Sequence, residues 1–212
     1  MRWLALLLLA VAGAVSADPI FEHPATAAEL QRLLGPVTQR LAAAAAVRGE
    51  FQQRKFLHEL PQPLVSSGEF LVARGLGVDW HTRRPFDADL VLNAQAMVQR
   101  GAGGEVQRID AASQPGLGAV AQVFDALFTL DLAKLAEQFT LYGAGRADAW
   151  TLGLKPREAA LAQTIESVTV SGAAQPGQIV LREASGDRTE ISFSRQRLLV
   201  ELGAAERKSL TP

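Results

Sequence analysis

The sequence predicts an α+β fold, mainly antiparallel β, in which one long curled sheet is covered by a small number of helices. Three observations carry this. Pro63 to Phe86 sets two apolar runs rich in Val, Phe and Trp on either side of Arg74-Gly75-Leu76-Gly77, which is a hairpin signature. Helical spacing of apolar residues occurs in two regions, Ala25 to Ala46 and the stretch beginning at Leu117. Counted with the two hairpin runs, the chain has about eleven strands, more than a flat sheet holds without curling or closing.

In chain order, Arg2 followed by the Leu, Ala and Val run from Trp3 to Val15, and then by the small residues Val15-Ser16-Ala17, reads as a secretory signal cleaved before Asp18. The run is shorter than the roughly 20 residues a spanning helix needs. Residues 18–212 are then a single domain. From Ala25 to Ala46, Leu30, Leu33, Leu34, Val37 and Leu41 fall on one helical face, with Thr26 as N-cap and Glu29 as its capping-box partner. Gly35-Pro36 is expected to kink or split this helix, because proline lacks a donor and crowds the preceding turn. The small side chains of Ala42 to Ala46 allow another surface to lie close.

Val47 to Leu57 alternates with period two and reads as a strand, ended by Leu60-Pro61-Gln62-Pro63. In the hairpin that follows, Gly68, Phe70, Val72 and Arg74 share one side, and Glu69, Leu71 and Ala73 the other. Neither side is simply polar, so the sheet either needs cover on both faces or lines an apolar cavity. The expectation is the cavity. Asp89 to Leu92, Ala96 to Gln99 and Val106 to Ile109 are short strands, the last preceded by a Gly101-Ala102-Gly103-Gly104 turn. That turn lacks the helix and lysine of a phosphate loop.

From Leu117 the spacing of Val120, Phe124, Leu127 and Phe128 predicts one helix, and Leu132, Leu135 and Phe139 a second, capped by Thr129 or Asp131. A helical pair inside an otherwise all-strand chain suits the open side of a curled sheet. Five further strand runs lie between Leu141 and Phe193, and after about Leu202 the polar chain is expected to fray. The expected cavity lining is Phe51, Phe70, Val72, Val78, Trp80, Leu90 and Leu92 from strands, with Val120, Phe124, Leu127 and Phe128 from the helices. Arg74, at the end of its strand, either reaches helix or loop carbonyls and holds the helical lid, or snorkels to water at the hairpin tip.

Composition narrows the chemistry. There is no cysteine, hence no disulfide, thiolate metal site, cysteine nucleophile or thiol for lipid attachment. Loss of Arg2 with the signal leaves 20 basic against 22 acidic residues, a formal charge near −2 that gives no electrostatic reason to expect nucleic acid or an anionic membrane surface as partner. The three histidines, His23, His58 and His81, have no metal-ligand spacing. Asp79 and His81 share a strand face without facing a nucleophile, and no G-x-S-x-G elbow exists. The sequence therefore predicts a binding protein, not an enzyme, with no metal and no cofactor.

F-x-Q at Phe51 to Gln53, G-x-F-x-V-x-R at Gly68 to Arg74, then Trp80 and Pro85, L-x-P-[KR] at Leu154 to Arg157 and T-x-x-x-F at Thr189 to Phe193 occur in an order that resembles the periplasmic outer-membrane lipoprotein carrier family, LolA. The resemblance implies an eleven-stranded antiparallel half-barrel closed by helices. Its apolar interior would take acyl chains of lipoproteins, or a related lipid, from an inner-membrane donor complex to an outer-membrane acceptor, as a periplasmic monomer. It also implies that Arg74 bonds to the lid and governs its opening. The chain departs from the family pattern at Gly75 for proline, at Val78 for an aromatic residue, and at Asn93-Ala94 and Val98 for Asp-Gly and Trp. A different class of function on the same half-barrel is a periplasmic sensor or adaptor that binds a partner protein.

Overall fold

The computed structural model describes residues 19–113 and 116–211, and for 116–121 the backbone alone. The secretory signal expected over residues 1–17 and the side chain of Val120 lie outside the described residues. Eleven strands form one antiparallel sheet. The first six are β1 Ala46–Phe56, β2 Leu64–Ala73, β3 Gly77–Arg84, β4 Ala88–Leu92, β5 Ala96–Arg100 and β6 Val106–Asp110. After helices α2 Gly116–Thr129 and α3 Leu132–Gln138 come β7 Phe139–Arg146, β8 Ala149–Pro156, the short α4 Ala159–Ala162, β9 Ile165–Gly172, β10 Pro176–Glu183 and β11 Arg188–Leu199. Helix α1 Ala27–Ala42 precedes the sheet and α5 Ala204–Ser209 follows it.

The strand order β6-β5-β4-β3-β2-β1-β11-β10-β9-β8-β7 is two meanders joined along β1 and β11. That seam is set by the pairing of Phe51 with Phe193 and of Gln53 with Ile191. The curved sheet is not closed: β6 and β7 are its two edges, and α2 and α3 bridge the chain from one to the other. The expected fold class and strand number are those observed.

Helix α1 starts as its sequence requires. Thr26 Oγ1 accepts from the Glu29 backbone N–H at 3.3 Å, and the Glu29 carboxylate accepts from the Thr26 N–H at 2.7 Å. Of the expected kink or split at Gly35-Pro36, the split does not occur, and the helix runs from Ala27 to Ala42 with Pro36 inside it. Leu30, Leu34, Val37 and Leu41 are buried on both sides of the proline, and that burial outweighs one lost backbone hydrogen bond. Helical structure ends before Ala43–Ala45. The Ala45 N–H donates to the Leu199 carbonyl at 2.8 Å, and Ala46 already belongs to β1, so the alanines bring helix and sheet close together.

The end of the chain corrects another expectation. Instead of fraying, residues after Leu202 fold back as α5, burying Leu202 and Leu210 against Ala46, Leu71 and Ala73 on the outer face of β1 and β2. Asn93 Nδ2 donates to the Leu210 carbonyl at 3.5 Å and Arg207 Nη2 to that of Leu202 at 2.9 Å. Two leucines eight positions apart carry no periodic signal; only the apolar patch on the outer face gives them a partner.

Docking of α5 desolvates Asp79 and pushes its carboxyl above the usual aspartate range. A hydrogen bond with Ser209 opposes the shift, nearby Asp89 adds to it, and His81 and Arg100 oppose it. A carboxyl raised in the folded state holds its proton to higher pH than in the unfolded chain, so its ionisation weakens folding as pH rises above the ordinary aspartate value. Replacement of Asp79 by Asn is expected to raise the urea midpoint at about pH 7 and to leave it unchanged at about pH 3. A gain of equal size at both values would remove desolvation as its cause.

Candidate functional site

The inner face of the sheet is apolar across both meanders. Register places Val47 opposite Val72, Phe70 opposite Trp80, Val78 opposite Leu92, Ile179 opposite Val170 and Leu152 opposite Val170, all on one side. At its centre five aromatic rings pack together. Phe51 stacks on Trp80 with ring centres 3.9 Å apart, and Phe70 lies 5.1 Å from Phe193 and 5.6 Å from Phe128, which is itself 5.3 Å from Phe193. Register places Gly68 opposite Phe51 on the intervening strand. A β-carbon there would collide with the backbone carbonyl of His81, so β2 passes β3 at this point only as glycine.

Helices α1, α2 and α3 supply the cover. Leu30, Leu34, Val37 and Leu41 of α1, Leu127 and Phe128 of α2, and Leu135 of α3 join the same buried cluster as the inner strand residues. The expected open cavity is therefore closed by the protein's own side chains. Gaps beneath the helices measure about 10 Å³ beside Leu41, Val72 and Phe128, and about 20 Å³ between α2 and α3. Each has room for about one water. Larger hollows lie outside and are polar, such as one of about 480 Å³ beside α5 lined by Arg48, Glu50, Asp79, His81, Arg195 and Glu206.

Of the residues expected to line a cavity, Phe51, Phe70, Val72, Val78, Leu127 and Phe128 are brought together in this cluster, with Trp80 partly buried against it. Leu92 is buried and Leu90 half-buried on the same strand face. Phe124 departs from the expectation: it is 36% exposed, on the solvent side of α2. Phe193 and the buried side of α1 belong to the cluster too, although only the helical spacing of α1 and the aromatic at the end of T-x-x-x-F hinted at them. His81 points the other way, hydrogen-bonded through Nδ1 to Asp89 and 3.5 Å from Asp87 through Nε2.

Two neighbouring residues of the β2–β3 turn tie the cover down. Arg74 Nη2 donates to the carbonyl of Leu41, in the last turn of α1, at 2.8 Å. Of the two outcomes its strand position left open, a helix carbonyl or water, Arg74 takes the first. The Gly75 N–H donates to Asp125 Oδ1 on α2 at 3.2 Å, and Lys134 Nζ of α3 lies 3.6 Å from the same carboxylate. Gly75 adopts φ +68°, a conformation open to glycine at little cost, and as a glycine it keeps the N–H that a proline would lack. The Asp125 contact had no sequence signal, since it joins residues fifty positions apart.

The corner between α2 and α3 is equally defined. Leu130 takes φ +48° and the Asp131 N–H donates to the Ala126 carbonyl at 2.9 Å, a Schellman ending with leucine where glycine is usual. Leu130 is 1% exposed, so its burial holds the backbone there. Asp131 then caps α3, accepting from the Lys134 N–H at 3.2 Å. Thr129 stays in α2, its hydroxyl donating to the Asp125 carbonyl at 2.7 Å.

Over residues 25–192 the chain matches the family described as outer membrane lipoprotein carrier protein LolA-like. Solved structures similar to it include the domain of a Vibrio parahaemolyticus protein titled an outer membrane lipoprotein-sorting protein, at 10% identity and TM-score 0.45, covering 84% of this chain and 96% of that one. A LolA superfamily protein from Nitrosomonas europaea aligns at 12% identity and TM-score 0.45, over 82% and 95% of the two chains. A DUF1329 family protein from Desulfovibrio piger aligns at 11% identity and TM-score 0.42, over 82% and 96%. No curated protein matches the sequence.

Burial separates the two phenylalanines of α2. Phe128→Ala should lower stability by about 3–5 kcal/mol in chemical denaturation, because it opens a hole among four rings. Phe124→Ala, on the exposed side, should change it by less than about 1 kcal/mol.

Proposed function

The chain belongs to the LolA-like outer membrane lipoprotein carrier family, and from that premise we propose that it is a soluble periplasmic carrier. It takes an acyl chain of a lipoprotein or a related lipid beneath its helices and passes it from inner to outer membrane, without catalysis. One observation carries this reading: a continuous apolar inner face is covered by helices that stand outside the sheet and are tied at its rim by two polar contacts on adjacent residues, Arg74 and Gly75. Among the described residues no helix is long and apolar enough to cross a membrane.

The packed interior suits such a role. A permanently open apolar trough would expose hydrocarbon to water and invite aggregation. In the closed form the helices occupy the place of the cargo, so loading exchanges one set of apolar contacts for another. An acyl chain gains about 0.8 kcal/mol per buried methylene, and the cost of lifting the helices is set against this. Net affinity is then moderate, and a competing apolar site can draw the cargo off.

Arg74 and Asp125 act in this scheme as latches. Losing the Arg74 hydrogen bond to the Leu41 carbonyl should shift the balance towards the open form by about 1 kcal/mol, roughly fivefold in population, given that the pair is partly solvated. The reading is tested by loading the purified protein with a fluorescent fatty-acyl probe and by native mass spectrometry of material isolated from cells. Stoichiometric acyl mass and saturable probe uptake are expected. Arg74→Leu and Asp125→Ala should each speed uptake and release several-fold while changing overall stability little. A protein that takes up neither probe nor native lipid would overturn the carrier reading, and wild-type exchange rates in both variants would remove the latches from it.

A further inference from the structure

The apolar inner face has a polar border on its first meander. On the side of the aromatic cluster away from the Arg74 turn, Gln53 follows Phe51 by two positions on β1 and lies opposite Ser66 of β2, and Thr82 of β3 lies opposite Gly68. Towards the sheet edge, the row that holds Phe70 and Trp80 runs on through Leu90 of β4 to Gln99 of β5 and Gln107 of β6. Alternation along each strand and pairing across strands put all five polar side chains on the inner side. Gln53, Ser66 and Thr82 are half-buried, and Gln99 and Gln107 are exposed, so the helices leave this border open. Leu64, two positions from Ser66, is 55% exposed.

Two features set the border apart from an ordinary wetted surface. The first is charge. Of the charged side chains on β1 to β6, only Lys55 falls on the inner side, and it is paired with Glu183 at 3.4 Å. The rest face outward, where register aligns Glu50, Glu69, His81, Asp89 and Arg100 in a single row and Arg83 reaches Glu69. A strand face that merely meets water carries charges, as the outer one does. The second feature is unspent hydrogen bonding. Among the described residues the side chains of Gln53, Ser66, Thr82, Gln99 and Gln107 make no hydrogen bond within the protein. Three amides and two hydroxyls, each able to donate and to accept, are therefore free beside the apolar interior.

We infer that this border receives the polar head of the carried lipid and that the head it selects is uncharged, built of hydroxyl, amide or ester groups and not of phosphate or carboxylate. Continuity and charge argue for this occupant. The border adjoins the cluster of Phe51, Phe70 and Trp80, so a molecule with its acyl chain beneath the helices can lay its head against Gln53, Thr82 and Gln99. Amides and hydroxyls pair with groups of their own kind. An anionic head in the same place loses water and meets no unpaired cation on the inner side of β1 to β6, which leaves its charge uncompensated. A phosphate site would present arginine, and here the arginines of these strands point the other way. The inference rests on the carrier reading and narrows its cargo.

The purified protein is loaded with a fluorescent acyl probe and competed with palmitoyl ligands that differ only in the head: monopalmitoylglycerol, a palmitoylated uncharged dipeptide amide, palmitate and palmitoyl lysophosphatidylglycerol. At least one of the two uncharged ligands should bind about tenfold more tightly than either anion. Which of them does so separates a hydroxyl head from an amide one. Gln53→Leu and Gln99→Leu should each reduce that preference about threefold. Gln52→Leu, on the outer side of the same strand as Gln53, should leave it unchanged. Equal competition by all four ligands, preference for an anion, an unchanged preference in both inner variants, or an equal loss in Gln52→Leu would overturn the inference and leave the carrier reading standing. A protein that takes up no acyl ligand at all would overturn both.

Discussion

An unclosed sheet with hydrocarbon along its whole inner face cannot stand bare in water, and most of the rest of the molecule answers that constraint. At roughly 25 cal/mol per Å² of apolar surface removed from solvent, covering such a face outweighs any single polar contact in the protein. Helix α1 before the sheet and the α2–α3 pair between its two edges are placed where that cover is needed. The closed state is therefore held by many weak apolar contacts and aligned by a few directional ones. The β2–β3 turn supplies two of these, at Arg74 and Gly75, one for each of two helices.

This division has a functional consequence. Contacts that are numerous and non-directional can be traded for those of a flexible hydrocarbon chain at little net cost, whereas a hydrogen bond to a helix carbonyl is either made or broken. Packing sets how much apolar surface is covered; the turn adds one directional contact to each of two covering helices. Leucine at the left-handed corner between α2 and α3 adds a second element of definition. Its side chain is buried in the same core as the inner strand residues, and that burial holds the corner between the two helices.

The outer face obeys a different rule. It is mostly polar, as an antiparallel sheet with one solvated side should be, but a patch of Ala46, Leu71 and Ala73 lies near its middle. The C-terminal segment covers that patch at the expense of desolvating Asp79. Together the two faces explain why neither side of β2 reads as simply polar: each is capped, one by helices and the other by the end of the chain.

Much of the fold could be read from the chain because it rests on local signals. Period-two alternation, turn glycines and the Thr26–Glu29 box act over a few residues, so the strand number, the hairpin and the start of α1 follow from sequence. The parity of each strand was legible too, and with it Phe51, Phe70 and Trp80 as expected residues of one lining, although neither side of β2 read as simply polar. What sequence by itself left open was whether those side chains would line a space or fill one. That depends on how far the helices descend onto the sheet, a distance fixed by the ring of Phe193 from the far end of the chain and by Leu34 and Leu41 from its beginning. The same holds for Asp125 meeting Gly75 and for α5 finding its patch. Such contacts join positions from fifty to more than a hundred residues apart, so they exist only once the strands between them have paired, and no local pattern records them.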